Sequence, residues 1–212
     1  MSLKLYLLRH GETTLSRTGG YCGALDPELT PAGLQMAQAF AEAYRTIPWA
    51  GVYVSPMKRA IATAKPLCEA INIDMQIREG LQEIHFGEWE GKSTDEVKQQ
   101  YEEDYVRWLT EPAWNPPTGG ETAVELASRA SLVIAEIEEK HRDGNVLVVS
   151  HKATIRVILC SLLGIDLGRY RDRITTLVAS VCVVRFGIHG PLLETLGDRY
   201  HLPPYLRELP GT

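Results

Sequence analysis

Apolar residues along the chain fall into short blocks, and the blocks alternate between the strand pattern and the helical one. Leu3 to Leu8 (LKLYLL) is a brief apolar run that stops at Arg9, the pattern of a buried strand. A glycine-rich loop follows, Thr18-Gly19-Gly20-Tyr21-Cys22-Gly23. Thr30-Pro31-Ala32-Gly33 then predicts a helix start, with Thr30 as N-cap and Pro31 in the first helical position. Leu34, Ala37, Phe40, Ala41 and Tyr44 continue it at helical spacing. Gly51 to Val54 reads as a second strand, closed by Ser55-Pro56, and a helix runs on from Met57 to Ala70.

Further along, Leu81 to Trp89 is irregular and a polar helix is expected from Thr94 to Leu109. A proline-rich loop, Glu111 to Pro117, closes at Gly119-Gly120, and Glu121 to His141 carries the longest helical pattern. Val146 to Val149 is too apolar for one-sided burial and predicts a central strand of a parallel sheet. Ser150-His151 follows it, then a helix from Thr154 to Leu163 and a last strand from Val178 to Phe186. Strands alternating with helices, with polar loops after the strand ends, predict a three-layer α/β/α sandwich. Its central sheet is mostly parallel and its site lies at the carboxyl edge. No repeat, linker or low-complexity stretch divides residues 1–212, so one domain is expected.

Composition narrows the function classes. Charged residues make up 23% of the chain and hydrophobic ones 44%, which excludes a disordered or fibrous polymer. The net charge of −5 argues against a nucleic-acid partner, since duplex binding needs a basic excess. It leaves room for a small anion held by a few convergent arginines. The four cysteines (Cys22, Cys68, Cys160, Cys182) are scattered with no metal-binding spacing, so a reduced, cytoplasmic chain is expected. The first apolar run is too short to span a membrane.

Three strand ends carry the same kind of side chain. The first ends in Arg9-His10, the second in Ser55-Pro56-Met57-Lys58-Arg59, and the central one in Ser150-His151. In a parallel sheet two histidines and two arginines would converge. Guanidinium groups grip phosphate oxygens, and helix N-termini add backbone donors. The same arginines would repel a divalent cation, so neither metal nor cofactor is expected.

The ordered set of motifs resembles the histidine phosphatase superfamily, in its phosphoglycerate mutase-like branch. Leu8-Arg9-His10-Gly11-Glu12-Thr13 is similar to the RHGET motif of that family. Leu25 to Gly33, Ser55 to Ala60, Leu81 to Gly91, Gly119-Gly120-Glu121-Thr122, and Val149-Ser150-His151 with Ile155-Arg156 follow in the family's order. The resemblance implies that His10 is the nucleophile and becomes a transient phosphohistidine. It implies that Arg9, Arg59 and His151 hold the phosphoryl oxygens, and that Glu83 is general acid and then general base. It also places Ser16, Tyr21, Cys22 and Gly23 at the substrate, with His201 beside the mouth; His85 is expected there from its closeness to Glu83, and Lys152 either adds positive charge to the site or points to solvent. Three positions depart from the family pattern: Ser16 stands where Asn is usual, Cys22 replaces a frequent Gln, and Lys152-Ala153 replaces small glycines. Cys22 has no positioned base and is not read as a nucleophile.

Two reactions share such a core, and a third reading is a silent interaction module. A phosphatase passes the phosphoryl group to water; a phosphoglycerate mutase returns it to a bound sugar acid. Between Gly91 and Gly119 the only cations are Lys92, Lys98 and Arg107, diluted by carboxylates. A doubly charged substrate is therefore expected to be poorly matched, which favours a phosphatase acting on a small phosphorylated metabolite. Phe86, Trp114 and the tail around Arg199-Tyr200-His201 are expected to discriminate substrates, with 108–117 as a lid. The run from Val178 to Val184, if at a sheet edge, would pair across a homodimer.

Overall fold

A computed structural model describes residues 2–209 and 211. Its centre is a six-stranded sheet in the order β3-β2-β4-β1-β5-β6. The strands are β1 (Leu3–Arg9), β2 (Trp49–Val54), β3 (Met75–Ile77), β4 (Gly144–Ser150), β5 (Val181–Gly187) and β6 (Gly190–Asp198). β1 to β4 run parallel, while β5 lies antiparallel to β1 and β6 antiparallel to β5. Side chains leave each strand on alternate faces, which builds two cores. Leu5, Leu7, Val146, Val148, Cys182 and Val184 face α6 (Ala123–Lys140) and α7 (Lys152–Leu163). Leu8, Val52, Val54, Leu147, Val149 and Val181 face α2 (Pro31–Tyr44) and α3 (Lys58–Ile71). This is the expected three-layer sandwich, with β4 in the interior position its composition predicts.

The helix starts follow their local chemistry. Thr30 caps α2 by accepting from the Gly33 amide, and Thr122 caps α6 by accepting from the Glu125 amide. Differences from expectation have physical causes. The polar stretch after residue 94 is two helices, α4 (Thr94–Gln100) and α5 (Glu102–Thr110), broken at Tyr101 where φ is −135° and ψ 42°. α7 begins at Lys152, two residues early, because His151 supplies the extended N-cap backbone. Val178 to Ser180 lie outside β5, with Ala179 in the left-handed region at φ 54°. β5 is flanked by β1 and β6 and so is not an edge; pairing through it across a dimer is excluded, and β6 occupies that edge. Short α1 (Thr14–Thr18), α8 (Tyr170–Arg173) and α9 (Pro204–Arg207), with β3 and β6, were not expected from periodicity.

The loop after β1 is held against the start of α2. Thr30 donates its amide to the Glu12 carbonyl at 2.9 Å, and a Cβ on Gly11 would lie 2.6 Å from the Gly33 carbonyl oxygen. A Cβ on Gly33 would collide with the backbone of Glu12. Gly33→Ala is expected to cost about 1–3 kcal/mol or more through forced backbone shifts, a fall of several degrees in Tm. Gly164, at φ 67° with open space around it, should cost only about 1 kcal/mol on the same change. Thermal melts of the two variants check that order.

Candidate active site

The parallel pairing of β1 with β4 sets Arg9 opposite Ser150, so the residues that follow, His10 and His151, emerge side by side. The His10 amide donates to the Ser150 carbonyl at 3.0 Å, and its own carbonyl accepts from the Ala179 amide at 3.1 Å. The two imidazole rings lie 5.2 Å apart, centre to centre. His10 Nδ1 is 2.8 Å from the Gly11 carbonyl oxygen. A carbonyl only accepts, so Nδ1 carries the proton and Nε2 holds the free lone pair. Burial first, then the charges of Arg59 and Arg9, hold the His10 pKa well below its ordinary value and keep the ring neutral.

Arg59, on the first turn of α3, is fully buried. It donates from Nη1 to the Leu25 carbonyl at 2.7 Å and to Asp26 at 3.4 Å, from Nη2 to the Gly23 carbonyl at 3.2 Å, and from Nε to His151 Nδ1 at 3.2 Å. Most of its N–H groups are thus spent on the protein, and the free fork expected for phosphate is not there; Arg59 contributes mainly charge. Because His151 Nδ1 accepts, Nε2 carries its proton and donates to Ser55 Oγ at 2.7 Å. Burial, then Arg59, His10 and Arg9, hold the His151 pKa well below the usual value. Arg9 donates from Nη1 to the Thr176 carbonyl at 2.8 Å.

Glu83 reaches the start of α7. Its carboxylate accepts from the amides of Ala153 at 3.1 Å and Thr154 at 3.2 Å, in the position of a capping side chain. The segment carrying it is clamped by Arg129. That guanidinium donates to the carbonyls of Gly80, Gln82 and Glu83 at 2.9–3.0 Å, and Glu121 grips it at 2.7 and 2.8 Å. Thr154 Oγ1 adds a bond to the Gln82 carbonyl at 2.7 Å. The Gly119-Gly120-Glu121-Thr122 motif therefore serves the site indirectly, through Glu121 and Arg129.

These residues surround a cavity of about 360 Å³. Arg9, His10, Ser16, Tyr21, Cys22, Arg59, Glu83 and Lys152 line it, as expected. Ser16 Oγ donates to the Thr13 carbonyl at 3.0 Å within the cap of α1. Burial pushes the Cys22 thiol up to about 11, so it stays protonated. Five expectations are corrected. His151 lies behind His10 and Arg59 rather than on the wall, and Gly23 serves through its carbonyl on Arg59. His85 points away, with Nδ1 3.1 Å from the Gly119 carbonyl, because its backbone belongs to the turn that Glu121 holds. His201 packs against Phe40 and Tyr44, and Trp114 is exposed outside the cavity.

Sequence reasoning missed Arg156, Tyr170 and Arg171, which line the cavity together with Thr94, Phe86 and Trp108. Residues 91–119 offer only Lys92, Lys98 and Arg107, whereas Lys152, Arg156 and Arg171 come from α7 and α8. The expectation of few cations for a second charge rested on that segment alone, and the cavity takes its further cations from elsewhere. Arg156 was visible as four residues beyond Lys152 on one helical face; Arg171 gave no local signal. Among the described residues no three His, Cys, Asp or Glu side chains gather as metal ligands, and no helix is long and apolar enough to cross a membrane.

The two neutral imidazoles tie stability to pH. Both folded-state pKa values lie well below 6.5, so below that pH the unfolded chain binds protons that the folded chain refuses. Stability is full above about pH 6.5 and falls beneath it, by up to ~1.4 kcal/mol per pH unit for each ring. Thermal melts should show Tm dropping from pH 7 to pH 5, with a shallower slope in His151→Asn.

The model of the "Histidine phosphatase superfamily (branch 1)" matches residues 5–199. Phosphoserine phosphatase 1 of Hydrogenobacter thermophilus is 34% identical over 168 residues, 79% of this chain and 80% of the relative. The adenosylcobalamin/alpha-ribazole phosphatase of Escherichia coli is 30% identical, over 76% of this chain and 80% of its own. Among solved structures, a mutant phosphoserine phosphatase from Entamoeba histolytica in complex with phosphoserine superposes with a TM-score of 0.85 at 27% identity. It covers 95% of this chain and 100% of the other. With its motif residues gathered at one sheet edge and a family match across nearly its whole length, the chain belongs to the histidine phosphatase superfamily.

Proposed function

We propose that this chain hydrolyses phosphomonoesters of small metabolites through a covalent phosphohistidine, without a metal ion. The observation that carries the reading is the bond from His10 Nδ1 to the Gly11 carbonyl, which leaves Nε2 neutral and unprotonated beside buried positive charge. Nε2 attacks phosphorus, an N–P bond forms, and the ester P–O bond breaks. Glu83 gives its proton to the departing alkoxide, then takes one from water as that water attacks the phosphohistidine and frees orthophosphate. Arg9 and Arg59 offset the charge carried by the transferring oxygens, the part a metal ion plays elsewhere. His151, neutral behind His10 and Arg59, gains proton affinity when a dianion enters the cavity in front of them.

Support for the substrate class comes from the relatives, whose names attach them to phosphoserine and to α-ribazole phosphate. The unpaired cysteines favour a reducing compartment, the cytoplasm. Trp108 and the helix that carries it would form one wall of the substrate mouth.

Hydrolysis of p-nitrophenyl phosphate should proceed in the presence of EDTA, and His10→Ala should lose about 10³-fold or more of kcat. Turnover that stops on chelation, or persists in His10→Ala, would sink the reading. Glu83→Gln should lower kcat by about 10²–10⁴-fold on an alkyl phosphate, whose leaving group needs the proton. On the aryl ester, whose leaving group is stabler, the loss should be smaller; an equal loss on both would remove Glu83 from the acid role.

A further inference from the structure

The cavity holds more positive charge than one phosphoryl group calls for. Five cationic side chains line it against one carboxylate, Glu83, in a chain of net charge −5. They fall into two groups. His10 feels the charge of Arg59 and Arg9, whereas Arg156 feels Tyr170, Glu83 and Arg171, and Arg171 feels chiefly Tyr170, Tyr21 and Tyr105. Lys152 stands between, sensing Arg9, Arg156 and Arg171.

The second group has no directly paired counterion; Glu83 acts on Lys152 and Arg156, and Asp172 on Arg171, without an ion pair. Among the described residues, the side chains of Lys152, Arg156 and Arg171 take part in none of the hydrogen bonds or ion pairs, although all three residues are half-buried. Arg156 Nε is buried with no acceptor. The carboxylate nearest in sequence to Arg171, Asp172, pairs with Arg169 at 3.7 Å instead. A buried donor without a partner costs about 1–3 kcal/mol, and clustered like charges add to that, so such a group persists when something else repays it. The Arg171 guanidinium sits 3.5 Å over the Trp108 ring, which fixes its plane and leaves its edge donors free. Burial, then the neighbouring charges, pull Lys152 down to about 8, a value that a bound anion would raise again.

We propose that Lys152, Arg156 and Arg171 form a second anion subsite, so that the ester this enzyme takes carries a further anionic group, carboxylate or phosphate, besides the phosphoryl group that His10 attacks. The inference rests on the phosphatase reading for the first phosphate and specifies the far end of its substrate. Guanidinium pairs suit both oxyanions, since each presents two oxygens to the fork.

Paired ligands that differ only in the second charge test it. Titration calorimetry on the His10→Ala protein compares 3-phosphoglycerate with glycerol 3-phosphate, and fructose 1,6-bisphosphate with fructose 6-phosphate. The first pair reads a carboxylate, the second a phosphate. At least one doubly anionic member should bind about 10-fold or more tighter than its partner. Adding Arg156→Gln or Arg171→Gln should bring that ratio to within about threefold, and Arg156→Lys should restore part of it. Circular dichroism and Tm confirm folding of each variant. Ratios near one in both pairs, or a preference that survives both Gln variants, overturn the subsite. Because binding is read without turnover, failure of the p-nitrophenyl phosphate assay would strike the phosphatase reading alone.

Discussion

Positive charge held out of water beside two imidazoles is the constraint from which the rest of the site follows. A guanidinium group cannot lose its proton, so Arg59 must be solvated by the protein itself. The carbonyls of Gly23 and Leu25, with Asp26, do this, which explains why the loop between α1 and α2 folds back over α3. The imidazoles have the alternative the arginines lack: they give up a proton. His10 and His151 are neutral because neighbouring charge and burial both oppose the imidazolium form. The neutral state of His10 is thus set by electrostatics, and its tautomer by one carbonyl.

The same constraint assigns work to distant residues. Among the described residues that line the cavity Glu83 is the one carboxylate, and a misplaced carboxylate would simply neutralise an arginine. Its position is therefore held from several sides: two amides at the start of α7, and an Arg129 clamp on the backbone that carries it. Glu121 in turn keeps Arg129 from straying toward Glu83 itself. A chain of charge pairing runs from the surface of α6 to the segment that carries Glu83, and none of its outer members touches the cavity.

How much of this could be read beforehand depends on whether the signal was local. β1, β2 and β4 announce themselves by apolar runs, and their parallel pairing brings Arg9, His10 and His151 together without further information. Caps such as Thr30 and Thr122 are equally local. β6 was not readable, because alternation between half-buried and exposed residues, with Pro191 at its start, resembles a loop. The wrong placements of His85 and His201 share a cause: closeness in sequence to a motif says nothing about which way a side chain leaves a turn. Arg171 belongs to a four-residue helix whose orientation depends on Trp108, a contact between segments far apart in the chain.

That last contact bears on selectivity. An enzyme with only the inner cations would grip any phosphate monoester and discriminate weakly, since the phosphoryl group is common to all of them. Cations set apart from the reacting centre change the balance. Binding energy from a remote anion can orient the ester so that its phosphorus sits in line with His10 Nε2, and an ester lacking that anion would forgo the alignment as well as the contact. Arg171 owes its place to an aromatic wall built by Tyr21, Phe86, Trp89 and Trp108, whose rings meet edge to face. The inner residues and the aromatic wall thus stand on different elements, His10 and His151 after the parallel strands with Arg59 on α3, the wall on α5 and the turns at Tyr21 and Phe86. On the proposed reading, changes in the wall would alter which ester is taken and leave the chemistry at His10 as it is.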